Sequence, residues 1–136
     1  MELKENQFAL RIITPDRVFY EGGAEMVEMN TTEGEIGVLK RHIPLTVIIK
    51  PGILTITEDK DNVKEAALHA GFATIMPDEV TIMAEIIEWP VEIDVDRAEA
   101  AKKRASERLE KQDDQTDIAR AQTALMRAMC RIEAAK

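Results

Sequence analysis

The chain changes character at one point, Glu88-Trp89-Pro90. Before it, apolar residues come in short runs cut by turn chemistry; after it no glycine occurs, Gly71 being the last, and the residues are rich in Ala, Glu, Lys, Arg and Leu. Proline cannot donate a ladder hydrogen bond, so a strand must end there, and the composition beyond it favours helix. Two modules are predicted, residues 1–90 and residues 91–136.

In the first module the breaks are Thr14-Pro15-Asp16, Glu21-Gly22-Gly23, Glu33-Gly34, Pro51-Gly52, Glu58-Asp59-Lys60-Asp61, Ala70-Gly71 and Met76-Pro77-Asp78. Between them Phe8, Leu10 and Ile12 alternate with Ala9 and Arg11. Runs such as Val47-Ile48-Ile49, Ile53-Leu54-Thr55-Ile56 and Val80-Thr81-Ile82-Met83 are β-branched and too short for helices. About ten strands in a sandwich or flattened barrel are expected.

In the second module residues 95–111 and about 116–134 read as helices, joined by the polar Gln112-Asp113-Asp114-Gln115, which is short enough to force an antiparallel hairpin. Asp94 stands as N-cap of the first helix, with Ile93 placed to staple onto Ala98. The apolar seam is thin. Ala98, Ala101, Ala105 and Leu109 face Ile118, Ala121, Leu125, Ala128 and Ile132, mostly small side chains that bury little area each. The fold class is α+β: an N-terminal β-sandwich followed by a C-terminal antiparallel two-helix hairpin.

Charge and composition remove several functions. The 136 residues carry a formal net charge of −8, which disfavours general binding to nucleic acid or anionic membrane. Residues 1–93 hold most of it, at −9, whereas residues 94–136 are at +1, so the two modules meet different surroundings. The single cysteine, Cys130, excludes an internal disulfide and suits a reducing compartment. No apolar run approaches the roughly 20 residues of a membrane span, so direct membrane insertion is not expected. His42 and His69 lack metal-ligand spacing, and the lone Ser106 sits in a helix with no nucleophile elbow. A non-catalytic chain is expected, with no required cofactor.

Three clusters remain. Arg97, Arg104 and Arg108 repeat the spacing of Arg120, Arg127 and Arg131, one helical face each. The plain reading is a solvated charged face; the functional one is anion recognition, since guanidinium forks suit phosphate and carboxylate. Arg97 opposes the dipole at its helix start, which favours a ligand or partner for it. The segment from Asn30 to Leu45 has turn glycines at Gly34 and Gly37 but no phosphate-loop spacing, leaving a surface loop or a protein-docking loop.

Taken in order, these residues resemble the epsilon subunit of F-type ATP synthases over nearly the whole chain. The resemblance rests on Ile13-Thr14-Pro15-Asp16 with Tyr20-Glu21-Gly22, on Glu33-Gly34-Glu35-Ile36-Gly37-Val38-Leu39 running into His42-Ile43-Pro44-Leu45, and on Lys50-Pro51-Gly52. It continues through Gly71-Phe72-Ala73, Ile93-Asp94 with Arg97-Ala98, and Ala124-Leu125-Met126-Arg127-Ala128. The resemblance implies a rotor subunit at the cytoplasmic face of a bacterial plasma membrane. Its sandwich would touch the gamma subunit and the c-ring, with Glu35 and His42 matching c-ring-facing positions. It also implies a hairpin that folds down or extends toward the catalytic head of alpha and beta subunits, where Arg120, Arg127 and Arg131 meet the beta subunit and inhibit hydrolysis. ATP, with or without Mg, is the implied regulatory ligand, on Glu88, Ile93, Asp94, Arg97, Ala98, Arg104, Arg127 and Arg131. The alternative is a stand-alone ATP-binding sensor outside the motor. A chaperone-like clamp is disfavoured by the polar turn at 112–117.

Overall fold

The computed structural model describes residues 2–111 and 117–136. Eight strands fill the first module: β1 (Phe8–Ile13), β2 (Val18–Ala24), β3 (Met26–Thr31), β4 (Gly34–Leu39), β5 (Leu45–Ile49), β6 (Gly52–Asp59), β7 (Asn62–Ile75) and β8 (Glu79–Glu88). They run in the order β2-β1-β8-β7-β5-β3-β4, and β6 bridges β3 and β7. The β1–β8 pair is parallel, while the other pairs are antiparallel. Because β6 and β5 share one side of β7 and both also pair with β3, the sheet folds over on itself into a sandwich.

Eight strands rather than ten follow from two glycine signals that are not turns. Gly22 and Gly23 lie inside β2, opposite Leu10 and Ala9 of β1. Ala70-Gly71 lies inside the 14-residue β7, where the register against β8 slips twice. Gly71 has φ +139°, and a Cβ there would stand 2.1 Å from the Met83 carbonyl oxygen. Only glycine fits such a bulge, which bends β7 from pairing with β6 to pairing with β5.

The alternation read from the sequence holds: Phe8, Leu10 and Ile12 are all buried, as are Leu54, Ile56, Val80 and Ile82. Their side chains interdigitate in one aliphatic core between the layers.

A 3-10 turn (Pro90–Glu92) leads to α1 (Val95–Lys111) and α2 (Ile118–Ala134). Both N-caps are aspartates: Asp94 Oδ1 accepts from the Arg97 amide at 3.1 Å and Asp117 Oδ1 from the Arg120 amide at 3.0 Å. The predicted linker, Gln112 to Gln115, lies outside the described residues. The helices pack on each other as a hairpin, and α2 lies on β6 and β7, so the hairpin is folded down on the sandwich. Ala98, Ala105, Ala121 and Ala128 are buried as the seam predicted, whereas Leu125 and Ile132 are half-buried and Ile118 is exposed. Under α2 a second small cluster forms from Ala67, Cys130 and Ala134, edged by Ile53 and Ile93. Ile93, which closes the 3-10 turn just before the Asp94 cap, therefore packs against the sheet under α2. No helix among the described residues is long and apolar enough to cross a membrane.

Candidate functional site

The junction of the two modules builds a charged cleft of about 300 Å³. The sandwich supplies Glu88, the last residue of β8; the entry to α1 supplies Glu92 and Asp94; α1 supplies Arg97, Ala98, Ala101 and Arg104; α2 supplies Arg131. Positions 97, 98, 101 and 104 fall on one helical face, so arginines stand at the rim and alanines form the floor. Small floor residues leave room for a flat ligand, and the exposed guanidiniums of Arg97 and Arg104 suit an anion.

Each carboxylate of the cleft already has a donor. Arg131 Nε donates to Glu88 Oε1 at 2.6 Å, and His69 Nε2 lies 3.1 Å from the same oxygen. Glu92 accepts from Arg17, which reaches both its oxygens at 2.8 Å, and from the Trp89 amide. The Arg17 guanidinium holds the Glu92 carboxyl below its usual value. Arg17 also lies over the Phe19 ring, 5.0 Å from its centroid, and Phe19 stacks on Trp89 at 4.3 Å. This clamp fastens the linker to β2. Asp94 is engaged as the N-cap, so among the described residues no carboxylate of the cleft pairs with the Arg97 or Arg104 guanidinium.

Six of the eight residues assigned to nucleotide binding from the sequence line the cleft: Glu88, Asp94, Arg97, Ala98, Arg104 and Arg131. The other two do not. Ile93 packs into the apolar cluster, and Arg127 is half-buried outside the cleft with its Nε unpaired. Ala101 and Glu92 join the lining; Ala101 was legible in the alanine stripe, while nothing local marked Glu92. Of the arginines assigned to an inhibitory contact, Arg120 is exposed, Arg127 is half-buried and Arg131 is bonded to Glu88. Arg108 is exposed outside the cleft.

His69, which lacks metal-ligand spacing, is a packed histidine, 1% exposed beneath α2. Burial, with Arg131 and Arg127 nearby, drives its pKa down to about 4. Cys130 is likewise buried, and desolvation pushes its thiol up to about 11, which makes it a packing residue. Among the described residues no group of three or more His, Cys, Asp or Glu side chains is arranged for a metal ion.

Glu35 and His42 do not share a loop tip. Glu35 lies near the start of β4 and His42 in the turn after its end, where the His42 amide donates to the Leu39 carbonyl at 3.2 Å. Exposed Leu39 lies between the two and exposed Ile43 just beyond His42.

One surface escaped the reading of the sequence. On the outer face of the sandwich Ile48, Phe72, Met83, Ile13 and Val18 are cross-strand partners in one continuous row over β5, β7, β8, β1 and β2. Ile48 is 62%, Val18 49%, Phe72 46% and Met83 40% exposed. Apolar residues at solvent-facing register positions, as at Ile48 between inward Val47 and Ile49, were the available signal.

Fold and cleft define a class: a β-sandwich carrying a two-helix hairpin, with its arginine-rimmed cleft where the two meet. Residues 7–90 match the family model described as ATP synthase, Delta/Epsilon chain, beta-sandwich domain, and residues 92–136 match the long alpha-helix domain of the same chain. The chain belongs to the ATP synthase delta/epsilon chain family. It is similar to the ATP synthase epsilon chain of Ruminiclostridium cellulolyticum, 46% identical over 93% of this chain and 94% of that one. The epsilon chain of Clostridium novyi is 44% identical over 93% and 95%. The fold also matches a chain in the cryo-EM structure of the Euglena gracilis mitochondrial ATP synthase, with TM-score 0.82 at 24% identity, covering 96% of this chain and 81% of that chain.

Proposed function

We propose that the chain works as a rotor and regulatory subunit of an F-type ATP synthase, non-catalytic itself, at the cytoplasmic face of a bacterial plasma membrane. The sandwich docks on the gamma subunit through the outer row of Ile48, Phe72, Met83, Ile13 and Val18, whose exposed apolar area is of the kind buried at stable interfaces. The margin between Glu35 and His42 meets the c-ring. The hairpin regulates hydrolysis: folded down it is stowed, and extended it presents Arg120, Arg127 and Arg131 to an acidic surface of the beta subunit.

ATP, with or without Mg, favours the stowed pose by binding in the junction cleft. One observation carries this reading: the cleft draws side chains from β8, α1 and α2, so it exists only while the hairpin is down. A ligand at 100 times its Kd that binds one state alone stabilises that state by about 2.7 kcal/mol. That is comparable with what three or four buried alanines contribute, at roughly 0.8 kcal/mol per methyl-sized group.

Calorimetric titration of the full chain with ATP tests the nucleotide half. Binding heat is expected for the parent and should weaken by tenfold or more in Arg104→Ala and Asp94→Ala; no heat from the parent removes the nucleotide role. Deleting residues 91–136 tests the regulatory half, with faster ATP hydrolysis by the assembled enzyme as the expected result. A stand-alone sensor would bind ATP yet fail to co-purify with gamma.

A further inference from the structure

We propose that His69 is a proton-sensing latch for the hairpin: α2 docks on the neutral imidazole, and protonation of His69 releases it. The inference rests on the reading that the hairpin moves. Ala66 and Leu68 of β7 point into the sandwich core, so Ala67 and His69 point the other way, under α2. The His69 side chain has no exposed surface while α2 is down.

The groups around the imidazole are few and of one dominant sign. From β8 comes Glu88, whose Oε1 is 3.1 Å from His69 Nε2 and also accepts from Arg131. From α2 come Arg131 and Arg127, while the Cys130 thiol sits in the neighbouring apolar cluster with Ala67. From β6, Ile53 edges the apolar cluster of Ala67, Cys130 and Ala134, and Lys50, just beyond β5, is exposed. A carboxylate accepts only, so the neutral ring carries its proton on Nε2 and leaves a lone pair on Nδ1. That Nδ1 is buried without a partner, as is Arg127 Nε. A second proton has one place to go, Nδ1. Its arrival puts three cations, His69, Arg127 and Arg131, around the single Glu88 carboxylate, with the imidazolium shut off from water.

Undocking relieves this. When α2 leaves, water reaches the ring, both guanidiniums depart and Glu88 stays on the sheet, so the undocked chain binds the proton more tightly. A histidine whose pKa is depressed in the docked pose stabilises docking fully above its ordinary value of 6.5 and loses that contribution as pH falls toward the docked value. Acid therefore drives the hairpin outward.

The test is a dye pair at Lys60→Cys and Glu133→Cys in a Cys130→Ala background of the full chain, read by energy transfer from about pH 7.5 to about pH 5, with circular dichroism following the sheet. The ratio of docked to undocked chain should fall on the order of tenfold over that range. His69→Gln should flatten the dependence while keeping the hairpin docked at neutral pH. Arg127→Met removes one of the cations that oppose a docked imidazolium, so it should weaken the acid response and move release to lower pH, whereas mere loss of a packing contact would move it to higher pH. An unchanged acid response in His69→Gln overturns the latch. A pair that stays close at every pH, with or without ATP, sinks the moving hairpin itself; one that responds to ATP but not to acid sinks the latch alone.

Discussion

The sandwich and the hairpin are held by different kinds of contact. In the sandwich, residues far apart in sequence, such as Leu10, Val38, Leu54 and Ile82, meet in one core, and every strand is also tied by backbone ladders. The hairpin rests on Ala67, Cys130 and Ala134, with Glu88 as the one carboxylate of the sandwich that takes a bond from α2 among the described residues. Aliphatic side chains packed on all sides make a unit that unfolds as a whole, whereas an alanine contact with one ion pair makes a joint that can open without disturbing its base.

The sharpest break of that contrast is at Gly71. Gly71→Ala forces a side chain into positive φ and against the Met83 carbonyl, and should cost about 3 kcal/mol or more. Leu54→Ala, at a fully buried site, should cost about 2–5 kcal/mol by transfer and cavity formation. Both should shift the urea midpoint of the sheet. If either altered only the helices, the sandwich would not be the rigid base.

Arg131→Ala should act on the joint alone. It removes the 2.6 Å bond to Glu88 and should lower amide exchange protection in α2 by about 1–3 kcal/mol, with the urea midpoint of the sheet unmoved. Asp94→Ala should act more locally still, costing α1 about 1 kcal/mol through the lost cap on the Arg97 amide. Exchange measured residue by residue separates the two, since one loss appears in α2 and the other in the first turn of α1.

The end of the strands before Pro90, both helices and the Asp94 cap were legible because they depend on near neighbours in the chain, whereas the Asp117 cap went unread. Glycine at Gly22-Gly23 and Ala70-Gly71 was ambiguous: the same residue serves a turn and a strand bulge, and only the partner strand decides. The arginine pattern was half legible. Spacing placed Arg97 and Arg104 on one face, but it could not tell that Arg131 reaches Glu88, 43 residues away, or that Arg127 is half-buried. The pairing of His69 with Glu88 was hidden for the same reason, since it depends on β7 and β8 lying side by side. The outer row from Ile48 to Val18 left a local trace, an apolar residue where alternation calls for a polar one.

The smallest expected effect concerns where the joint turns. Arg17, Phe19, Trp89 and Glu92 tie the linker to β2, so a moving hairpin pivots after Glu92, at Ile93-Asp94, and not at Pro90. Glu92 is a carboxylate whose value Arg17 lowers, so its contribution is present above its ordinary value of 4.5 and is lost as pH falls below it. The pair is partly exposed, and screening keeps its worth to a fraction of a kcal/mol. Glu92→Gln should therefore leave the stability of the sheet unchanged at neutral pH while raising amide exchange at Trp89, whose N–H bonds the Glu92 carboxylate. If exchange rose instead through β8, the clamp would belong to the sandwich core and the pivot would have to lie elsewhere.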